Sequence, residues 1–122
     1  MREVTIEIPL KLPSLNDYIR SCRGNVYAAN NEKRHIEAAL GIYMKALPRF
    51  ESPVAIDFTW IEENRRRDLD NIAFAKKFIL DALVKCGKLK DDNRKCVTAF
   101  TDSFRYEKKA GVIVTIREVE DD

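Results

Sequence analysis

The segment Arg65-Arg66-Arg67-Asp68-Leu69-Asp70-Asn71 sets two carboxylates two residues apart behind three arginines, where a strand pattern ends and a helix pattern begins. Both acids can point into one cleft. A hard divalent cation such as Mg²⁺ takes oxygen ligands, commonly one or two carboxylates with waters and a substrate phosphate oxygen, and this spacing can supply them. The arginines would then hold phosphates. The competing use is local, because Asp70 suits a helix N-cap and Asp68 the positive end of the helix dipole. A second acidic pair, Asp91-Asp92, stands among Lys88, Lys90, Arg94 and Lys95 and would serve equally as a solvated turn. The single histidine, His35, has no Asp or Ser partner at a catalytic spacing and reads as surface. Cys22, Cys86 and Cys96 form an odd set without a Cys-x-x-Cys pair, so structural zinc and a disulfide framework are not expected. A Gly-rich phosphate loop is absent, and with it the signature of a nucleotide cofactor.

Charge sharpens this picture. The 122-residue chain carries a formal net charge of +2, yet the window Arg65 to Lys95 holds ten basic and five acidic residues, which is +5 and leaves −3 for the rest. A local positive field of this kind suits a polyanion such as nucleic acid. With 45% hydrophobic and 34% charged residues the chain should fold as one domain over residues 1–122. Apolar runs are too short to cross a bilayer, and the start MREVTIEIPL carries acids where a signal peptide would be apolar. No membrane association and a cytoplasmic location are expected.

The elements that must position these groups follow from periodicity. Val4, Ile6 and Ile8 alternate with polar residues as a strand, and Pro9 and Pro13 close it. Leu12 to Asn31 fits neither period and reads as an ordered loop, with Tyr18 and Tyr27 as its candidate stacking residues. Ile36, Ala39, Leu40, Tyr43 and Leu47 recur at helical spacing behind a cap at Asn30 or Asn31, and Pro48 ends the run. Val54, Ile56, Phe58 and Trp60 form a second strand, with Trp60 and the phenylalanines read as packing. A helix from about Asn71 to Cys86 buries Ile72, Ala75, Ile79, Ala82 and Leu83, and Gly87 caps it. Lys95 to Arg105 and Gly111 to Val119 read as strands joined in a hairpin. The order β-α-β-α-β-β, with about four strands and two main helices, is that of an α+β domain with a mixed sheet. The helix between the two acidic pairs is roughly 24 Å long, so Asp92 must either fold back within the chain or meet Asp68 and Asp70 across subunits.

RRRDLDN, a helix ending DAL and followed by Gly, then DD, closely resembles the RusA family of Holliday junction resolvases. LPSLNDYIR resembles that family's Pro-Ser-x-Asn-x-Tyr segment, and the order of elements agrees along nearly the whole chain. The resemblance implies a homodimeric endodeoxyribonuclease, dependent on Mg²⁺ with Mn²⁺ as a substitute, that cuts four-way DNA junctions by paired symmetric nicks in recombination and repair. It carries the catalytic and metal-binding acids onto Asp68, Asp70 and Asp92, with Asp91 beside them. The helix here is about three residues longer than the family pattern, so the catalytic lysine falls on Lys76 or Lys77. Arg65, Arg66, Arg67, Lys76, Lys77 and Arg94 are the expected DNA contacts. Two rivals use the same residues differently: a non-catalytic nucleic-acid-binding protein in which the acids only cap and turn, and a metal nuclease for other branched or single-stranded DNA.

Overall fold

β-Branched and aromatic residues alternate most persistently over Val54–Glu62, and this strand is the centre of the molecule. In the computed structural model, which describes residues 2–120, a four-stranded mixed sheet is built from β1 (Glu3–Ile8), β2 (Val54–Glu62), β3 (Val97–Tyr106) and β4 (Gly111–Glu118). The spatial order is β1-β4-β2-β3, with β4 antiparallel to both β1 and β2 and β3 parallel to β2. Four helices complete the order: α1 (Leu15–Gly24), α2 (Val26–Met44), α3 (Leu69–Ala73) and α4 (Lys76–Lys85).

The register sorts side chains between two faces because strand residues alternate. Ile56, Phe58 and Trp60 line up with Ile116, Val114 and Val112 of β4, and these in turn with Val4, Ile6 and Ile8 of β1. That face is covered by helices, whose Leu40, Met44, Phe78, Ile79 and Leu83 share one core with it. The opposite face is a polar ladder. Thr5 and Thr115 hydroxyls meet at 2.8 Å, and Asp57 accepts from the Thr101 hydroxyl at 2.6 Å and from Arg117 at 3.1 and 3.2 Å. The α+β class, the mixed sheet and the element order agree with the sequence pattern.

Three local features differ from the sequence reading. The segment after Pro13 is helical from Leu15, because Ser14 and Asp17 form a reciprocal capping box: the Asp17 N–H donates to the Ser14 hydroxyl and the Ser14 N–H to the Asp17 carboxylate, each at 3.2 Å. Asn25 then caps α2 by accepting from the Tyr27 and Ala28 N–H groups, so α2 starts five residues before the cap inferred from periodicity. The long helix after Asp70 is broken near Phe74 and Ala75, where Ala75, Lys77 and Phe78 donate to carbonyls three residues back and tighten the backbone between α3 and α4.

The expected β3–β4 hairpin is also absent. β2 lies between the two strands, and residues 107–110 carry the chain over its end, tied down by the Glu107 N–H donating to the Glu62 carbonyl at 3.0 Å. The reason is burial: nearly every residue of β2 is buried or half-buried, so both its edges are best satisfied inside the sheet. Gly111 makes the crossing possible, since a Cβ there would stand 2.8 Å from the Ile8 carbonyl oxygen. Gly87, at φ +73°, ends α4 as expected, with the Lys88 and Gly87 N–H groups closing on Leu83 and Val84.

The Thr101 hydroxyl and then Arg117 hold the Asp57 carboxyl below the usual carboxylate range. A depressed pKa contributes stability that is complete above the unfolded value of about 3.9 and is lost as pH falls through the folded one. Urea midpoints taken from pH 6 down to pH 2 should therefore fall less steeply for Asp57→Asn than for the wild type.

Candidate nucleic-acid and metal site

The two acids of the Asp-x-Asp pair stand where β2 gives way to α3. Asp68 is the N-cap of α3, with extended backbone (φ −72°, ψ 151°) and a carbonyl that accepts from the Ile72 N–H, but its carboxylate makes no capping bond. Asp70 lies in the first helical turn. Both are exposed, and neither carboxylate has a hydrogen-bond or ion-pair partner among the described residues. The helix thus takes its cap from Asp68 backbone geometry and leaves two carboxylates uncommitted.

Of the three arginines, only two are free. Arg67 turns inward: its guanidinium donates to the Leu12 carbonyl at 2.9 Å and reaches the carboxylates of Glu62 and Asp17 at 3.3 and 3.4 Å. Glu62 is 7% exposed, so Arg67 is the counter-charge for a nearly buried acid and clamps the loop 63–68 to α1. The Ser14 N–H, with Arg67 behind it, holds the Asp17 carboxyl below its usual range. Arg65 lies over the Tyr106 ring, 4.8 Å from its centroid, which anchors the loop to the end of β3. Arg66 is exposed. Asp68, Arg66 and Arg67 border an open cleft of about 390 Å³ together with Asp17, Arg20 and Lys11. Arg20 and Lys11 were not among the sequence candidates. The Ser14-x-x-Asp17 capping signature was the signal for the helix that brings Asp17 and Arg20 there.

The two candidate lysines differ in their surroundings. Lys76 donates to the Asp102 carboxylate at 2.6 Å and sits over the rings of Phe58 and Phe100, while Trp60 Nε1 donates to the other oxygen of Asp102 at 2.8 Å. Lys77 is exposed and has no partner among the described residues. Asp102 is a further acid that sequence reasoning missed, since in sequence it is one polar residue in a strand.

The second acidic pair divides in the same way. Asp91 accepts from the Asp92 N–H and from the Asn93 side-chain amide, which makes it the turn former. The Asp92 carboxylate is exposed and borders a separate groove of about 570 Å³ with Arg34, Lys85 and Lys33, between α2 and α4. In that groove Lys33 bonds Asp81 at 3.2 Å, and Asp81 and Glu37 outweigh burial to raise the Lys33 pKa. Lys85 also pairs with Glu37. Arg94 is exposed nearby in sequence.

Asp92 does not fold back towards Asp68 and Asp70. The chain from α4 is pinned at the far end: Lys88 accepts from the Phe50 N–H, Leu89 is buried, and Asn93 accepts from the Lys95 and Cys96 N–H groups in a tight turn. α3 and α4 in series keep the two acid sets roughly 20 Å apart. Among the described residues, no three acidic, histidine or cysteine side chains gather closely enough to hold a metal ion.

The remaining candidates fall into place as packing or surface. Trp60 stacks on Phe58 with centroids 5.3 Å apart, and Tyr18 packs against Phe74 and Phe78, where burial raises its pKa. Tyr27 is 83% exposed. His35 is exposed, and the three cysteines are free thiols, Cys22 and Cys86 at the surface and Cys96 half-buried. Among the described residues no helix is long and apolar enough to cross a membrane.

Uncommitted carboxylates flanked by free cations on a small α+β domain are the equipment of a protein that handles phosphodiesters. The family model for endodeoxyribonuclease RusA matches residues 9–117, nearly the whole chain, and the chain belongs to that family. A search of curated proteins returns no match.

The inward role of Arg67 has a direct consequence for stability. Arg67→Ala leaves Glu62 buried without its counter-charge and should cost roughly 2–3 kcal/mol, the buried-pair value reduced for the partial exposure of Arg67. Arg66→Ala should change stability by no more than about 0.5 kcal/mol. Urea unfolding of the two variants separates them.

Proposed function

We propose that this chain is a divalent-metal-dependent endodeoxyribonuclease that resolves four-way DNA junctions by paired, symmetric hydrolysis of two phosphodiesters. The observation that carries the reading is the pair of uncommitted carboxylates, Asp68 and Asp70, set between exposed cations in a chain of the endodeoxyribonuclease RusA family. A protein using these acids only for capping would bond them to the helix N-terminus, and Asp68 makes no such bond.

The donor set fits a hard cation in type but not in number. Asp68 and Asp70 offer carboxylate oxygens, as Mg²⁺ or Mn²⁺ requires, and Asp92 is the third free carboxylate on the basic segment. Asp91 is bonded within its own turn, which favours Asp92 over it. A bound divalent ion supplies charge stabilisation at the scissile phosphate and lowers the pKa of the attacking water. The chain's own residues hold that ion, neutralise the phosphate backbone and set its register. Arg65, Arg66, Lys77 and Arg94 are the exposed cations suited to DNA contact, while Arg67 positions the loop. Lys77 is free to meet a phosphate, whereas Lys76 must first leave Asp102.

Because Asp92 is held away from Asp68 and Asp70 within one chain, the complete site is shared: Asp68 and Asp70 from one subunit, Asp92 from the other. A four-way junction is itself two-fold symmetric, and a C₂ dimer with two such sites makes the paired cuts.

A labelled synthetic four-way junction, with linear duplex and flap controls, should be nicked symmetrically in Mg²⁺ and left intact in EDTA. Tight binding without cutting in any divalent ion would instead mark a binding protein, and cutting of flaps in preference to junctions would mark a nuclease of other specificity. Asp70→Asn should abolish cutting while junction binding by gel shift persists, since the basic surface is untouched.

Mixing two inactive variants tests the shared site. In a heterodimer of Asp70→Asn and Asp92→Asn chains, a shared arrangement leaves one site with both substitutions and the other intact. Random mixing should then restore about a quarter of wild-type nicking. No restoration, with heterodimers demonstrated, would place all three acids in one subunit.

A further inference from the structure

The two edges of the sheet are protected very differently. β1 is six residues long, carries Glu3 and Glu7 on its polar face and runs into Pro9, all features that discourage pairing with another strand. β3 is ten residues long, contains neither proline nor glycine, and is exposed at every position from Thr98 to Ser103. Its helix-side face continues the apolar face of β2, with Phe100, Asp102, Phe104 and Tyr106 opposite Ile56, Phe58, Trp60 and Glu62. Phe100 and Tyr106 are each 43% exposed. A strand of that length with an unpaired edge and an exposed aromatic rim is a pairing surface.

We infer that β3 pairs antiparallel with β3 of a second copy of this chain, about a two-fold axis perpendicular to the sheet, joining the two sheets into one of eight strands. The inference rests on the shared site proposed above, and the topology supplies its independent support. The loop carrying Asp68 and Asp70 sits at the C-terminal end of β3, where Arg65 covers Tyr106 and Glu107 bonds Glu62. The turn carrying Asp92 sits at the N-terminal end of β3, just before Val97. Antiparallel pairing sets the start of one β3 beside the end of the other. It therefore brings Asp92 of the partner subunit to the end of the sheet that holds Asp68 and Asp70, and does so twice by symmetry.

Side-chain parity restricts the register. Residues facing each other across the seam must lie on the same face of the sheet. Centring the axis on Ser103 sets Phe100 against Tyr106 on both sides of it, Asp102 against Phe104 and Thr101 against Arg105. Centring it on Asp102 or Arg105 would set like charges face to face. Ser103 is small and lies on the polar face, so it sits on the axis without a clash.

The test uses the full chain with Cys22, Cys86 and Cys96 replaced by Ser. Paired Cα atoms in an antiparallel ladder lie about 4.5–5.5 Å apart, within disulfide range. Ser103→Cys in this background should give a reducible covalent dimer as the main product of mild oxidation, and that dimer should still nick junctions. The double variant Phe100→Glu/Tyr106→Glu should raise the dimer dissociation constant at least about tenfold in sedimentation, with circular dichroism reporting its fold. A wild-type chain that stays monomeric while cutting junctions overturns both this interface and the shared site. A stable dimer that neither cross-links at position 103 nor responds to the glutamates overturns the β3 seam alone and leaves the shared site standing.

Discussion

Burial of β2 on both its edges and on its helix-side face is the constraint around which the molecule is built. Backbone groups of a buried strand must find partners within the protein, and Val54–Glu62 finds them in β4 on one side and β3 on the other. That requirement sends β3 to the sheet edge, forces the crossing at residues 107–110, and brings the C-terminal ends of β2 and β3 together. The loop with Asp68 emerges at this point. Glu62, the last residue of the strand, is nearly buried and demands a counter-charge, and Arg67 answers it from five residues downstream. The ion pair turns the chain back and presents Arg66, Asp68 and Asp70 to solvent.

The chemistry depends on what each group is not doing. Asp91 and Arg67 make internal bonds and serve the fold, while Asp92, Asp68 and Asp70 do not and remain available to a cation. Lys76 and Asp102 form a bonded pair under Trp60, whereas Lys77 one residue on is free. Adjacent residues of the same type thus have separate roles, because a charge already paired in a partly buried setting gives up that partner to bind another.

The amphipathic strands, the α+β class, the order of elements, the Gly87 stop and the candidate acids were legible in the sequence, since each is local: a period, a cap, a charge at a strand end. The first helix was not legible from periodicity, because α1 has no fully buried residue and its stability lies in the Ser14–Asp17 capping box and in contacts of Tyr18 with Phe74 and Phe78. The expected hairpin failed for a different reason. A four-residue connection is short enough for a hairpin, and only the competition of β4 and β3 for β2 excludes it.

The sequence by itself determined which residues carry the chemistry and the family to which they belong, because charge type and spacing along the chain are one-dimensional properties. The tertiary structure decided which of those charges are free, and that Asp92 stands apart from Asp68 and Asp70. The physical reason is that pairing and convergence depend on the path of the chain through space. That path is set by the long-range burial of β2, by the Phe50–Lys88 and Glu62–Arg67 contacts, and by the tight turn at Asn93.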